Sequence, residues 1–203
     1  MKSVFTLIIF LFSLTAGESP VPQNNAFKTG EWFKFRIHYG IFNASYATLK
    51  VHETKYEGKD VFHVVGKGKS TGLLDLFFKV DDNYQTYFDK EDGKPYRFIR
   101  KINEGGHTKN IEILFDHQNQ KALVKDKKRK RESTHNIEGK VQDMLSAYYY
   151  LRNNIDATKL KKGDEVKMKM FFDKENYNFK LKFLGRETLK TKFGKVPCLK
   201  FRP

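Results

Sequence analysis

The chain has 203 residues, with 39 Lys and Arg against 24 Asp and Glu, a net charge of +15 and a pI near 9.7. Its 19 Phe, 10 Tyr and 1 Trp exclude the aromatic-poor composition of disorder, and the length fits one domain. A single cysteine, Cys198, excludes an intrachain disulfide framework and any Cys-based zinc site, and no run of 18 apolar residues predicts a membrane-spanning helix.

Lys2 precedes an apolar run over residues 4–14, and Thr15-Ala16-Gly17 places small residues at a cleavage site. This is the pattern of a signal peptide over residues 1–17, too short to span a bilayer. It predicts an exported protein and removes nucleic acid as a natural partner despite the charge. Residues 18–29, with Pro20 and Pro22, read as a linker into a single β-rich domain over residues 30–203.

In residues 32–39, Phe33, Phe35, Ile37 and Tyr39 alternate with Lys34, Arg36 and His38, the two-residue period of a strand. Residues 44–52 alternate again, and Gly58 suits a hairpin turn needing positive φ. In residues 61–68, Gly66 and Gly68 take alternate positions, as in a strand that bends or meets a bulky neighbour. Residues 73–80 fit either a helical turn or a corner. Alternation resumes through Tyr84, Thr86 and Phe88, then Tyr96, Phe98 and Ile102, then Ile111, Ile113 and Phe115, with 122–124 pairing back.

Residues 141–154 carry the one helical pattern, with Val141, Leu145, Tyr148 and Arg152 on one stripe and Met144, Ala147 and Leu151 beside it. Leu145 and Tyr148 are expected to be buried. Three further strands follow over residues 165–172, 177–184 and 196–201. Nine or ten short strands joined by short connections predict an antiparallel, mainly β fold. The expected form is a strongly curved sheet or open half barrel with one covering α-helix.

The opening residues Thr29 to Phe35, the pair Tyr39-Gly40 and the helical run Val141 to Arg152 carry a resemblance, as do Asp81, Asp82, Tyr87, Asp89 and Pro95. Together they resemble family 3108 of the domains of unknown function, exported proteins of Gram-negative bacteria. The resemblance implies a periplasmic or envelope location and a mostly β fold akin to curved-sheet lipoprotein carriers. It implies no particular activity. Members of that family continue with further strands beyond Pro203, so a truncated C-terminus is expected.

Catalytic and metal chemistry find little support. His38, His52, His63, His107, His117 and His135 show no metal-binding spacing. Asp81-Asp82-Asn83 reads as a turn or strand start. Ser70, Ser133 and Ser146 lack a glycine elbow or a base nearby in sequence, and Cys198 reads as a small core residue. Glu31 and Glu104 are one of many carboxylate pairs that folding could bring together. The sequence therefore predicts a non-enzyme with no metal and no cofactor.

Asp143 and Arg152 lie about 180° apart around a helix, so each must find its partner elsewhere, in the sheet beneath or in a ligand. Tyr148, Tyr149 and Tyr150 cover more than half the helix circumference, so one ring should face the core and another could line a cavity. Residues 125–132 hold Lys125, Lys127, Lys128, Arg129, Lys130 and Arg131 against Asp126 and Glu132, a local +4. They read as a loop between strand and helix, either solvated or set against anionic lipid or polymer. The candidate ligand-binding residues are Tyr148, Tyr149, Arg152, Lys127, Lys128, Arg129 and Lys130. They suit a noncatalytic envelope protein that binds a lipid-like ligand, apolar with an anionic head. A structural or assembly partner with a filled core is the second reading, and a hydrolase the third.

Overall fold

The computed structural model describes residues 26–39 and 42–203. The expected signal peptide over residues 1–17 and most of the expected linker over residues 18–29 lie outside the described residues.

Eight strands form one antiparallel meander in chain order: β1 (Trp32–Tyr39), β2 (Phe42–Tyr56), β3 (Lys59–Ser70), β4 (Asp81–Asp89), β5 (Pro95–Glu104), β6 (His107–Asp116), β7 (Lys121–Asp126) and β8 (Arg131–Asn136). The sheet is open, with β1 and β8 at its edges. Two-residue turns set the register where glycine permits positive φ: Glu57-Gly58 at 49° and 80°, and Gly105-Gly106 at 57° and 88°. Across the middle of the sheet Val51, Val64, Thr86, Phe98, Ile113 and Val124 are directly paired in one row, none more than 2% exposed.

A second sheet has the order β12 (Gly194–Arg202), β11 (Glu175–Thr191), β10 (Glu165–Phe172) and β9 (Val141–Gln142), with β9 parallel to β10. Its binary pattern is broken by Phe171, which falls on the lysine face of β10 and is buried against the meander. Val166, Met168 and Met170 pair with Leu181, Phe179 and Tyr177 on one face, while Lys167 and Lys169 pair with Lys180 and Asn178 on the other. Strand β11 runs on past the predicted end at residue 184, through a register shift at Gly185 (φ 136°). The fold is mainly β, as expected: a large open antiparallel sheet with a covering helix, to which the described residues add a second sheet of four strands.

Helix α2 (Met144–Asn154) covers the meander, and a second, five-residue helix, α1 (Leu73–Phe77), joins β3 to β4. The predicted helix began too early. Val141 belongs to β9, and Asp143 is the N-cap, accepting from the backbone N–H of Leu145 at 2.8 Å and of Ser146 at 2.9 Å. The Ser146 hydroxyl in turn accepts from the Asp143 N–H, completing a capping box that spends Ser146 on structure. Leu145 is buried as expected, and a Cβ on Gly66 would stand 3.5 Å from it, so the glycine gives the helix its close approach. Tyr148 is not buried: it is 38% exposed, while Tyr149 is fully buried between Phe27 and Phe88.

Strand β8 was not foreseen, because its sequence RESTHN has no apolar alternation; it is a charged edge strand. The basic segment is accordingly the tight β7–β8 turn and not a loop leading to the helix. Cys198 also departs from expectation, standing half-exposed on β12 rather than in the core. Asp81 begins β4, as the turn-or-strand reading has it.

Candidate functional site

Helix α2 has two working faces. Leu145 and Tyr149 pack on the meander, while Met144, Ala147, Tyr148 and Leu151, at helical i, i+3, i+4 and i+7 spacing, face the second sheet. Opposite them stand Met170, Phe172, Tyr177, Phe179 and Leu181 of β10 and β11. Between these walls runs a groove of about 500 Å³ whose lining carries no charged side chain. The concavity of the meander itself is filled, by Phe27 and Tyr149 packed edge to face at 4.7 Å and by Phe171 against Phe115. The open groove therefore lies across the helix from the concave face of the meander.

A second, polar cavity of about 470 Å³ shares Tyr177 with the groove. Lys109, Arg129, Arg131 and Lys174 line it together with Asp126, Glu132, Asp173 and Glu175. Most of these charges are paired: Arg129 with Asp126 at 3.3 Å, Lys109 with Asp173 at 3.6 Å, and Arg100 with Asp173 at 2.8 Å. The Glu175 carboxylate accepts from the Tyr177 hydroxyl at 3.1 Å.

Of the sequence-predicted residues, Tyr148 lines the groove and Tyr149 lies in the core. Arg152 donates to both Glu31 oxygens, at 2.7 and 2.8 Å, and to the Ala26 carbonyl at 2.6 Å, with the Phe27, Phe33, Tyr148 and Tyr149 rings around it. The Glu31 carboxylate holds its guanidinium above the usual arginine range. Asp143 anchors the helix to the sheet through Thr86, so both charges work in helix anchoring and not with each other.

Within the basic turn, Lys127 pairs with Glu112 at 2.8 Å, and Lys128 donates to the Thr108 carbonyl at 3.2 Å. Arg129 turns back on Asp126 and lines the polar cavity, and Lys130 is exposed at φ 52°. Burial pushes the Glu112 carboxyl up, but hydrogen bonds from Lys127 and Arg97 outweigh it and hold it below the usual range. The helix residues and the turn residues are not one cluster; of them, only Tyr148 and Arg129 line the two adjoining cavities that meet at Tyr177.

Sequence reasoning missed the sheet wall of the groove. The alternation of Val166, Met168, Met170 and Phe172 was the available signal, but nothing in it named the helix as the facing element. It also missed the base beside Ser133: its hydroxyl lies 2.8 Å from Nε2 of His135, two residues on and on the same strand face. The ring beyond His135 is Phe171, and among the described residues no carboxylate bonds that imidazole, so the pair lacks the third member of a triad. Glu31 is held by Arg152, far from Glu104, which closes β5. Burial lowers the His63 imidazole, which bonds Gln85 at 2.9 Å and stacks on Tyr87 at 4.1 Å. Among the described residues no three His, Cys, Asp or Glu side chains are placed to hold a metal. No described helix is long and apolar enough to cross a membrane.

No curated protein and no solved structure matches the chain. A family model described as a protein of unknown function, DUF3108, matches residues 34–203, nearly all of the described domain. The chain belongs to the DUF3108 family.

Proposed function

We propose that this is a noncatalytic exported envelope protein that takes up a lipid-like ligand, with its acyl chain in the groove between α2 and the β10–β11 hairpin. The observation that carries the reading is the groove itself: about 500 Å³, walled by nine apolar or aromatic side chains and open to entry. Its size falls in the range of small-molecule sites. The polar cavity across Tyr177 offers a place for a charged head.

Native mass spectrometry of the protein purified from its own envelope tests this directly. A lipid-sized adduct that Leu151→Trp removes, by filling the groove, is expected; a bare mass in the wild type, with no binding of added fatty acid, would sink the reading. Export is tested by N-terminal sequencing of the mature protein, and retention of residues 1–14 would overturn it.

A filled meander core favours a second reading, that of an envelope assembly partner. The same experiment separates the two, since such a partner would carry no lipid.

A further inference from the structure

Strands of a meander alternate in direction, so the β3–β4, β5–β6 and β7–β8 connections all lie at one end of the large sheet. The first is α1, whose Leu76 and Phe77 are 79% and 80% exposed, with Phe78 following at 47%. Exposed single apolar residues are ordinary, but three in succession at a tip call for a partner. The three connections are tied together. The Phe78 ring occupies the space a side chain at Gly105 would need. Lys128 of the third connection donates to the Thr108 hydroxyl at 2.5 Å, just past the second.

Cations surround this tip. Lys69, Lys79, Lys130 and Arg131 are exposed and make no ion pair among the described residues. Several acids at this end are engaged: Asp75 accepts from Ser70, Asp82 from the Asn103 N–H, Asp126 pairs with Arg129 and Glu132 with Lys125. Asp81 and Glu104 remain against the four cations and the rest of the basic turn.

We propose that this end of the sheet is a docking surface for an anionic lipid bilayer. Leu76 and Phe77 enter the acyl boundary, while the basic turn and its neighbours meet the headgroups. The connections spread over roughly 20 Å of sheet end, at about 4.8 Å per strand. A protein partner fits less well: a stable interface needs about 800 Å² from each side, far more than three side chains at a tip supply. A bilayer needs no shaped counterpart. No residue of the apolar groove takes part; Arg131 also lines the polar cavity, so the Leu76 and Phe77 substitutions, which touch neither cavity, are the arm that separates this proposal from the reading of the groove.

Co-sedimentation with phosphatidylcholine vesicles, with and without phosphatidylglycerol, provides the test. The protein should bind the mixed vesicles at low salt, lose them at high salt, and ignore phosphatidylcholine alone. Leu76→Ser with Phe77→Ser should weaken binding by about 30-fold or more. Lys130→Gln with Arg131→Gln should weaken it by roughly 25-fold and flatten its salt dependence. All four side chains are exposed, so both variants should fold, as circular dichroism will verify.

Orientation gives a second measurement. Trp32, the chain's one tryptophan, begins β1 opposite Lys50, beside the middle row of the sheet and away from the tip, and should escape quenching by brominated lipid. Phe77→Trp should introduce a quenched fluorophore. No binding to anionic vesicles, or equal binding by the wild type and both double variants, overturns the proposal. So does self-association that depends on Leu76 and Phe77 without vesicle binding, which would give the surface to a second copy of the chain.

Discussion

Thr86 and Asp143 meet at 2.5 Å in the protein interior, 57 residues apart in the chain. Thr86 is the polar member of the buried row that crosses the meander, and Asp143 is the N-cap of the helix that covers it. One hydroxyl therefore fixes where the helix sits on the sheet. The carboxylate accepts from Thr86 and from two backbone N–H groups, yet complete burial pushes its pKa up to about 6.

That position has a pH signature. The folded state holds the proton more tightly than the unfolded chain, whose value is near 4. The contribution is thus fully present below about pH 4 and is lost as pH rises through about 6, up to roughly 3 kcal/mol. Asp143→Asn keeps the cap and can still bond Thr86, so it should remove this dependence. Urea unfolding of both proteins at several pH values checks it: the stability difference between them should shift in favour of Asn as pH rises, and a constant difference would contradict the assignment.

Gly66 and Leu145 form a second contact that can be measured. Leu145→Ala should cost about 2–5 kcal/mol, since its side chain is buried where helix meets sheet. Gly66→Val should cost about 1–3 kcal/mol by overpacking, because even a Cβ there would lie 3.1 Å from Leu49. The two changes touch the same space, so the double variant should lose less than the sum. Thermal denaturation of the four proteins reads the coupling.

Arg152 ties the entering segment to the end of α2. Arg152→Lys keeps the charge but loses the paired bonds to Glu31 and the reach to the Ala26 carbonyl. A loss of about 1–3 kcal/mol is expected, together with faster proteolysis around Phe27. Unchanged cleavage there would show that the segment is held by Phe27 packing alone.

Cys198 is half-exposed on β12. Its thiol should react with a maleimide in the native protein, without denaturant, as a single label visible by intact mass. Labelling only after unfolding would place it in the core after all.

Much of the meander is legible in the sequence because its strands bury one face, so apolar and charged residues alternate from Phe33 to Val124. Strand β8 escapes that logic: as an edge it needs no apolar face, and RESTHN offers none. The helix start is misplaced because Val141 is apolar as a core residue of the short strand β9, and periodicity does not say which element a buried side chain belongs to. Tyr148 and Tyr149 were exchanged for a similar reason. A run of three tyrosines fits several stripes, and tertiary contacts, Asp143 under Thr86 and Arg152 on Glu31, fix the rotation of the helix. The groove needed both walls, and the pairing of a helix stripe with a hairpin some 20 residues later is a tertiary fact.

The meander also sets an order of events for the growing chain. Each of its strands pairs with the one made just before, across short connections, which favours quick local closure. The elements that cover its apolar face come much later: Tyr149 on α2, then Phe171 on β10, which packs against Phe115. A chain folding from its N-terminus therefore carries a nearly complete sheet with one bare greasy side until its last third arrives. Whatever handles the chain before that moment must shield that side, or keep the strands from pairing at all.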